Sequence, residues 1–297
     1  MELFLQRLFD GLTNGAVYAA IALALVLIYK ATTLINFAQG EMAMFGTFIA
    51  YVLAVEQSWP VWISILAAMI ISAGAGAVIE RTLIRPFDPS NHLPIVIVTL
   101  GLFLLINAFA GIIWKYDPRA FPSPFPTEVE HFLEIGGARL RYESIGIIGT
   151  LLAILGVLFI LLNKTKIGLA FRAVSSNLES SELVGIHVGR TLQFGWALAA
   201  AIGTLGGGLV ANSTFVEPNM MFRLLIFSFA AAALGGLDSP VGSVVGGMIV
   251  GLVQSLLVGY ISFIGSELSL ATAFVVILVV LLVKPAGLFG TARVERV

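Results

Sequence analysis

The feature that most constrains this chain is a series of apolar runs long enough to cross a lipid bilayer. A helix needs about 20 apolar residues to cross the hydrocarbon core. Runs of roughly that length occupy positions 11–29, 34–55, 60–79, 93–114, 144–163, 191–215, 241–262 and 268–283, and a shorter one occupies 224–236. Such runs form helices in lipid, because every backbone polar group there needs an internal partner. The pattern predicts an all-α integral membrane protein, a polytopic bundle of about 8–9 transmembrane helices.

The composition supports a membrane location and excludes several functions. Of the 297 residues, 59% are hydrophobic and 11% are charged, whereas a soluble domain carries about 25% charged residues. The net charge of -1 provides no basic field for nucleic acid. There is no cysteine, and the three histidines, His92, His131 and His187, are far apart in sequence. We therefore expect a lipid bilayer as surroundings, no metal site, no cofactor and no nucleic-acid partner.

Lysine and arginine in the short loops indicate how the chain is oriented. If the N-terminus is outside and 224–236 counts as a span, ten of these residues lie inside and six outside. This predicts that the loop at 164–190 and the C-terminus are cytoplasmic, and that the loop at 115–143 is outside. The side of the N-terminus stays open. The outer loop is either a solvated connection or a docking surface for an external partner.

Two polar breaks interrupt the apolar pattern. Asn36, Gln39 and Glu41 begin the second run, and Asp238 and Ser239 lie between two later ones. A carboxylate within lipid costs about 3 kcal/mol on insertion scales, so Glu41 should face protein, water or the interface. Transporters bind their solutes at interrupted helices near the middle of the membrane. The five residues either cap helices at the interface or lie along a solute translocation path.

Glycines recur at four-residue spacing in the later runs. Small residues let membrane helices approach closely, which drives their association in lipid. The alternative is that these glycines permit helices to slide during gating. The predicted helix-packing residues are Gly203, Gly207, Gly242, Gly246, Gly247 and Gly251.

The polar loop at 164–190 carries the signature of a short amphipathic helix. Ser176 stands three residues before Glu179, the spacing of a capping box. Gly185 is a suitable helix end. Its apolar stripe consists of Leu178, Leu183 and Ile186. The stripe packs either against the chain's own membrane helices or against a partner, and the residues alone leave both open.

The chain contains no machinery for using energy or for chemistry of its own. It has no GxxxxGK[ST] segment, so the phosphate-binding loop of ATPases is absent. No nucleophile lies close in sequence to a histidine base, which argues against a hydrolytic enzyme. An ion-driven transporter needs titratable residues deep in its spans, and Glu41 and Asp238 are nearly the only ones. A membrane scaffold would explain the glycines but not the polar breaks.

Several short segments together resemble one known family. They are GLTNGAVYA at 11–19, INFAQGE at 35–41, ER at 80–81, RP at 85–86, LVGI at 183–186, LGGLDSPVG at 234–242 and KPAGLFG at 284–290. In this order and spacing they cover nearly the whole chain. The sequence is similar to the permease subunits of bacterial branched-chain amino-acid ABC importers, the LivH type in particular.

The resemblance implies a working assembly in the bacterial inner membrane. A second related permease subunit would enclose the path with this one, two cytosolic ATPase subunits would bind below, and a periplasmic solute-binding protein would deliver the solute. The whole of 1–297 would then be one permease domain of the ABC importer type, and not itself an enzyme. The inner loop matches the coupling loop of such permeases, which assigns coupling to Gly168, Arg172, Ala173, Asn177, Glu179, Leu183 and Gly185.

Three positions depart from the family pattern. The family usually has His at Gln39 and Gly at Asp238, and often has Asp at Asn177. The substitutions keep polar or turn-forming character, so they bear on the solute rather than on the fold. Close relatives of the family carry urea or short amides, and that solute class is the alternative to branched-chain amino acids.

Overall fold

The computed structural model describes residues 1–87, 92–127, 132–261 and 268–290, and these ranges are predominantly helical. The eleven α-helices in them are α1 Glu2–Thr32, α2 Gln39–Tyr51, α3 Val61–Ile79, α4 His92–Trp114, α5 Tyr142–Lys164, α6 Lys166–Ser176, α7 Leu178–Leu183, α8 Val188–Thr214, α9 Met220–Gly235, α10 Pro240–Tyr260 and α11 Ser269–Val283. Turns of π-helix extend α2 over Val52–Glu56 and α3 over Glu80–Ile84. Two short strands, β1 Phe132–Ile135 and β2 Ala138–Arg141, complete the secondary structure.

The helices agree with the apolar runs of the sequence. Among the described residues, six helices are long and apolar enough to cross a membrane: Glu2–Thr32, Val61–Ile84, Leu93–Trp114, Tyr142–Lys164, Val188–Thr214 and Pro240–Tyr260. Helices α9 and α11 are apolar but shorter. The prediction of an all-α, multi-pass membrane protein is confirmed.

Backbone contacts divide the chain into two compact units, each built from separate segments. The first consists of Met1–Val26, Phe125–Leu151 and Arg223–Val297. The second consists of Leu27–Pro124 and Leu152–Phe222.

In the first unit, glycines bring helices into direct backbone contact. A Cβ atom on Gly251 of α10 would overlap the backbone of Gly11 and Gly15 on α1, and one on Gly247 would lie 2.6 Å from Ala19 Cβ. On the other side of α10, Cβ atoms on Gly242 and Gly246 would overlap the backbone of α9. Four of the six glycines singled out in the sequence therefore lie where two helix backbones meet.

In the second unit, α8 is the central helix and packs on α2 and α3. A Cβ atom on Gly203 would lie 2.6 Å from Gln39 Nε2, and one on Gly207 would overlap the Thr47 hydroxyl. A Cβ atom on Gly76 of α3 would lie 2.7 Å from the carbonyl oxygen of Trp196 on α8. The small residues of α8 thus set how closely its two neighbours approach.

The outer loop contains a β-hairpin that the sequence analysis did not predict. Strands β1 and β2 pair antiparallel with Ile135 opposite Ala138. The two turn residues, Gly136 and Gly137, have φ values of 60° and 85°, as the tight turns preferred in two-residue hairpins require. Gln6 Oε1 on α1 accepts a hydrogen bond from Arg139 N at 3.0 Å. The acidic residues Glu128 and Glu130 of this loop lie outside the described residues.

Residues that the charge count places on the same side of the membrane contact one another within each unit. In the second unit Arg85 donates to Gly189 O at 2.7 Å, both predicted inside. In the first unit Arg223, predicted outside, donates to the hydroxyl of Ser269, which begins the predicted span 268–283 at its outer end. The orientation itself stays a prediction, and the basic residues Arg293 and Arg296 at the predicted cytoplasmic C-terminus lie outside the described residues.

Candidate translocation path and coupling segment

A chain of polar side chains leads to the buried carboxylate of Glu41 in the second unit. Glu41 lies in the first turn of α2 and is 3% exposed. The Asn107 side chain on α4 donates to Glu41 Oε2 at 3.2 Å and to Pro218 O at 3.0 Å. Tyr116 in turn donates its hydroxyl hydrogen to Asn107 Oδ1 at 3.3 Å. Asn107 therefore connects a buried carboxylate to the chain segment that joins α8 and α9.

The first turn of α9, which follows that segment, packs the Met221 side chain alongside α8. A Cβ atom on Gly207 would lie 2.6 Å from Met221 Cε, although Gly207 comes seven residues before α8 ends at Thr214. Seven residues of helix measure about 10 Å. Non-helical backbone at membrane depth needs polar partners from the protein, and Asn107 supplies one to Pro218 O. The chain is thus interrupted next to Glu41.

Asn36 and Gln39 fix the entry to α2. Asn36 is 1% exposed and Gln39 is 0% exposed. Asn36 Oδ1 accepts a hydrogen bond from Ala38 N at 3.0 Å, which turns the chain into the helix. Gln39 Nε2 donates to Ala199 O on α8 at 3.1 Å, whereas Gln39 Oε1 has no hydrogen-bond partner in the described structure. The first polar break is therefore fully inside the protein and tied to α8.

The second polar break lies in the first unit, between α9 and α10. Ser239 Oγ accepts from Gly242 N at 3.0 Å, so Ser239 is the N-cap of α10 and Pro240 follows in the first turn. The segment after α11 covers the end of α9, because Leu288 N donates to Leu234 O at 2.7 Å. Asp238 Oδ1 lies close to this segment, 3.2 Å from where a Cβ atom of Gly290 would stand. Ser239 has a capping role, and Asp238 stands beside it.

An apolar cavity of about 330 Å³ lies among α2, α3, α4 and α8 of the second unit. Met42 and Ile106 contribute to its wall, and they are the chain neighbours of Glu41 and Asn107. The cavity therefore adjoins the helices that carry the polar network.

The inner loop contains two short helices where the sequence analysis predicted one. Asn177 has an extended backbone (φ −158°) that ends α6, and its Oδ1 accepts from Ser180 N at 2.8 Å as the N-cap of α7. The predicted capping box of Ser176 and Glu179 is wrong by one residue, because asparagine caps helices as well as serine does. The predicted stop is confirmed: Gly185 has φ +84° and its N donates to Glu182 O at 2.9 Å.

Helix α6 is anchored to the chain's own structure. A Cβ atom on Gly168 would overlap the carbonyl group of Leu162, and Arg172 donates to Asn163 Oδ1 at 2.9 Å. Phe171 and Val174 are buried, with Ala173 half-buried between them.

Helix α7 and the residue after it, in contrast, have exposed apolar side chains. Leu183 is 88% exposed and Val184 is 75% exposed, and Glu179 is exposed as well. The alternative in which the stripe packs on the chain's own membrane helices does not apply to Leu183. Exposed apolar side chains next to a polar loop are typical of a surface that a partner covers.

Sequence reasoning missed Asn107 and Asn219, which place the interrupted segment next to Glu41. Asn219 Oδ1 lies 3.4 Å from Asn107 Nδ2. Asn107 was detectable in principle, since it is the only amide side chain in the run 93–114. Its partners were not, because they come from α2 and from the segment between α8 and α9, 66 and 111 positions away in sequence.

Comparisons with known proteins give a consistent result along the chain. The family model described as branched-chain amino acid transport system / permease component matches residues 7–283. The high-affinity branched-chain amino acid transport system permease protein LivH is 29% identical in Escherichia coli K12 and 30% identical in Salmonella typhimurium LT2, each alignment covering 99% of this chain and 98% of the relative. The corresponding protein BraD of Pseudomonas aeruginosa is 29% identical with the same coverage.

A solved structure supports the fold on independent grounds. A chain of PsaBC from Streptococcus pneumoniae, in complex with Fab, superimposes with a TM-score of 0.51 over 96% of this chain and 93% of that one, at 13% sequence identity. At that identity the likeness concerns the fold alone. Because the family match covers nearly all of the membrane helices described above, the chain belongs to the family of permease components of branched-chain amino acid transport systems.

Proposed function

We propose that this chain is the membrane-spanning subunit of an ATP-driven importer of branched-chain amino acids in the bacterial inner membrane. The observation that carries the proposal is similarity to LivH and BraD at 29–30% identity over 98–99% of both chains. These full-length relatives are named for branched-chain amino acids, which favours that solute class over urea or short amides. The chain itself would hydrolyse nothing.

The proposed topology is a single permease domain with nine membrane helices. Six have full spanning length and α9 and α11 are shorter, and α2 with its π-helical extension would be the ninth. The loop at 115–143, with its hairpin, would face the periplasm and receive the solute-binding protein. The loop at 164–190 and the C-terminus would be cytoplasmic. The same-side contacts fit this alternation of spans, and the excess of lysine and arginine on one side favours that side as cytoplasmic.

The proposed partners follow from surfaces that the chain leaves open. A second related permease subunit would complete the path, and two cytosolic ATPase subunits would dock below. The exposed Leu183 and Val184 support docking at α7. Arg172 and Gly168 would hold α6 against α5, and the small side chain of Ala173 would let the two helices pack closely. Asn177 would begin α7 and Gly185 would end it, and Glu179 would lie on the surface of α7 that faces the ATPases.

The proposed translocation path uses both polar breaks. In the second unit Asn36, Gln39 and Glu41 would line it, joined by Asn107. In the first unit Asp238 and Ser239 would contribute. The Glu41 carboxylate suits the ammonium group of a zwitterionic amino acid, and the apolar cavity beside the network would suit a branched side chain. The burial of Glu41 and the interruption of the chain beside it support this assignment.

Reconstitution of the full importer in liposomes tests the proposal. Uptake of labelled leucine should require ATP on the cytoplasmic side and the binding protein on the other, and unlabelled valine should compete while urea does not. Uptake by this chain alone under a proton or sodium gradient would establish an ion-driven transporter instead. Competition by urea or acetamide but not by valine would assign the other solute class.

Changing Glu41 to glutamine is expected to slow leucine uptake by about tenfold, the effect of losing about 1.4 kcal/mol of favourable interaction. Gln is nearly the same size and still accepts a hydrogen bond from Asn107, so the helix packing should persist. The measurement is the initial uptake rate per assembled complex in the same liposomes.

Glu56→Gln is the matched control for this change. Glu56 ends the π-helical extension of the same helix and is exposed, so its neutralisation should leave uptake unchanged. Equal uptake rates in the Glu41→Gln and Glu56→Gln variants would contradict a role for Glu41 in the translocation path.

A further inference from the structure

An ion pair between a buried carboxylate and a partly exposed guanidinium group links the inner end of α3 to the first turns of α8. The Glu80 side chain is 1% exposed. Arg85 contacts both of its carboxylate oxygens, with Arg85 Nε 3.2 Å from Oε1 and Nη2 against Oε2. The same Nη2 donates to Gly189 O at 2.7 Å and to Gln193 Oε1 at 3.3 Å. One guanidinium group therefore holds two carboxylate oxygens on α3 and two acceptors on α8.

A second hydrogen bond closes the connection from the other side. Gln193 Nε2 donates to Ala77 O at 3.0 Å, so Gln193 contacts both Arg85 and the α3 backbone. Gly189 leaves little room here, since a Cβ atom on it would lie 3.1 Å from Arg85 Cζ. Residues Glu80, Arg85, Gly189 and Gln193 form what we call the α3–α8 clamp.

The position of the clamp connects it to the coupling segment. Helix α7 ends at Leu183 and α8 begins at Val188. The clamp therefore holds the first two turns of α8, which come only a few residues after the exposed α7 in sequence. On the α3 side, Glu80 begins the π-helical turn, and Arg85 N donates to Glu80 O at 2.7 Å. Such π-helical turns occur frequently at functional sites.

Stability alone does not account for the burial of the Glu80 carboxylate. Its removal from water offsets much of the attraction to Arg85, whose side chain stays about a third exposed. What a bidentate Arg–carboxylate contact adds is fixed geometry. Because Glu80 fixes the guanidinium group that also binds Gly189 and Gln193 on α8, the arrangement indicates a mechanical role.

We propose that the α3–α8 clamp makes the inner ends of α3 and α8 move as one body, so that displacement of α7 by the ATPases reaches α3. Glu80 and Arg85 are positioning residues in this account, and they bind no solute. The inference rests on the proposed function, because it needs ATPases that act on α7. Without the clamp, the first turns of α8 would follow α7 and separate from the inner end of α3, while the two helices stayed packed farther along at Gly76 and Trp196.

The experiment combines a transport ratio with a distance. The neutral pair Glu80→Gln with Arg85→Gln removes both charges together, so no uncompensated buried charge is left. In the assembled importer we expect leucine uptake per ATP hydrolysed to fall about tenfold, near the upper range for residues in a coupling network. ATP hydrolysis should continue. Arg81→Gln, which removes an exposed charge from the same π-helical turn, should leave the ratio unchanged.

The distance measurement separates coupling from general damage. Because the chain has no cysteine, spin labels react only with cysteines that are introduced. Two are introduced here, Ser180→Cys on α7 and Ile63→Cys at the far end of α3. With the clamp intact, the distance between labels should be the same in the nucleotide-free and vanadate-trapped importer. In the neutral pair it should change with nucleotide. Arg85→Lys keeps the charge but not the bidentate contact, so its label distance should also change with nucleotide. This variant tests the role of the clamp if the neutral pair does not assemble.

Two results would overturn the inference: an unchanged uptake-to-hydrolysis ratio in the neutral pair, or a label distance independent of nucleotide in the clamp variants. The unaltered importer serves as the reference for the proposed function. If it shows no ATP-dependent uptake, the proposed function fails on its own, whatever the variants do.

Discussion

Replacing Gly185 with valine is expected to abolish leucine uptake while the chain remains in the membrane at its normal level. Gly185 has φ +84°, a left-handed conformation that a β-branched residue adopts only as an outlier. Holding it there would cost about 1–3 kcal/mol of backbone strain. The chain would relieve the strain by leaving that conformation, and the turn that ends α7 would then be lost.

The consequence of that change is local and falls on the coupling segment. Ile186 N donates to Ser181 O at 3.0 Å, and Gly185 N donates to Glu182 O at 2.9 Å; both bonds depend on the turn at Gly185. If α7 continued past its present end, Leu183 and Val184 would no longer be presented as they are. Steric crowding is not the cause, because no atom of the described residues beyond the two chain neighbours lies within 4 Å of a Cβ atom at this position.

Gly185→Asn is the matched control. Asparagine tolerates the left-handed conformation far better than valine does, so it should keep most of the uptake, and Gly185→Ala should fall between the two. Membrane abundance, leucine uptake and ATP hydrolysis would be measured for all three. Normal, coupled transport by the valine variant would refute the role of this turn in coupling.

The spans were predictable from sequence because lipid imposes one simple condition. A run such as 144–163 has few ways to satisfy its backbone other than a helix, and α5 at Tyr142–Lys164 agrees within two residues. Length alone did not reveal the interrupted connection between α8 and α9. Met221 lies beside Gly207 through tertiary packing, and nothing in the apolar pattern of 191–236 marks the depth at which α9 begins.

The smaller errors have local causes. Ser176 and Asn177 are both good helix caps, and the extended backbone of Asn177, which decides between them, is a feature of the folded chain. The hairpin was overlooked because four prolines dominate the first part of its loop. The alternating residues on either side of Gly136 were nevertheless a usable hairpin signal.

The candidate site was predictable only in part. Asn36, Gln39 and Glu41 attract notice as polar residues beside an apolar run, and all three are buried. The clamp was not foreseen, although Glu80 and Arg85 stood out as family-like residues. The acceptors of Arg85 on α8 are more than a hundred positions away in sequence, so only the folded chain reveals this contact.

Gly251→Ala is expected to cause a large loss of stability. The added Cβ atom would overlap the backbone nitrogen of Gly15 and the carbonyl oxygen of Gly11 on α1. Backbone atoms cannot rotate aside as a side chain can, so α1 and α10 must separate. Overpacking of a tight interior costs about 1–3 kcal/mol and sometimes more. The folded yield and the thermal unfolding temperature in detergent should both drop.

A graded series isolates the cause of that drop. Gly15→Ala on the facing helix meets Gly247 O and Met248 Cα, each at 2.9 Å, and should destabilise less. Gly156→Ala on α5 meets no atom within 4 Å, so it should be neutral or gain up to about 1 kcal/mol from its better helix propensity. Because all three changes add the same methyl group to a helix, only the proximity of the partner backbone distinguishes them. An unfolding temperature for Gly251→Ala equal to that for Gly156→Ala would mean that α1 and α10 do not depend on this close approach.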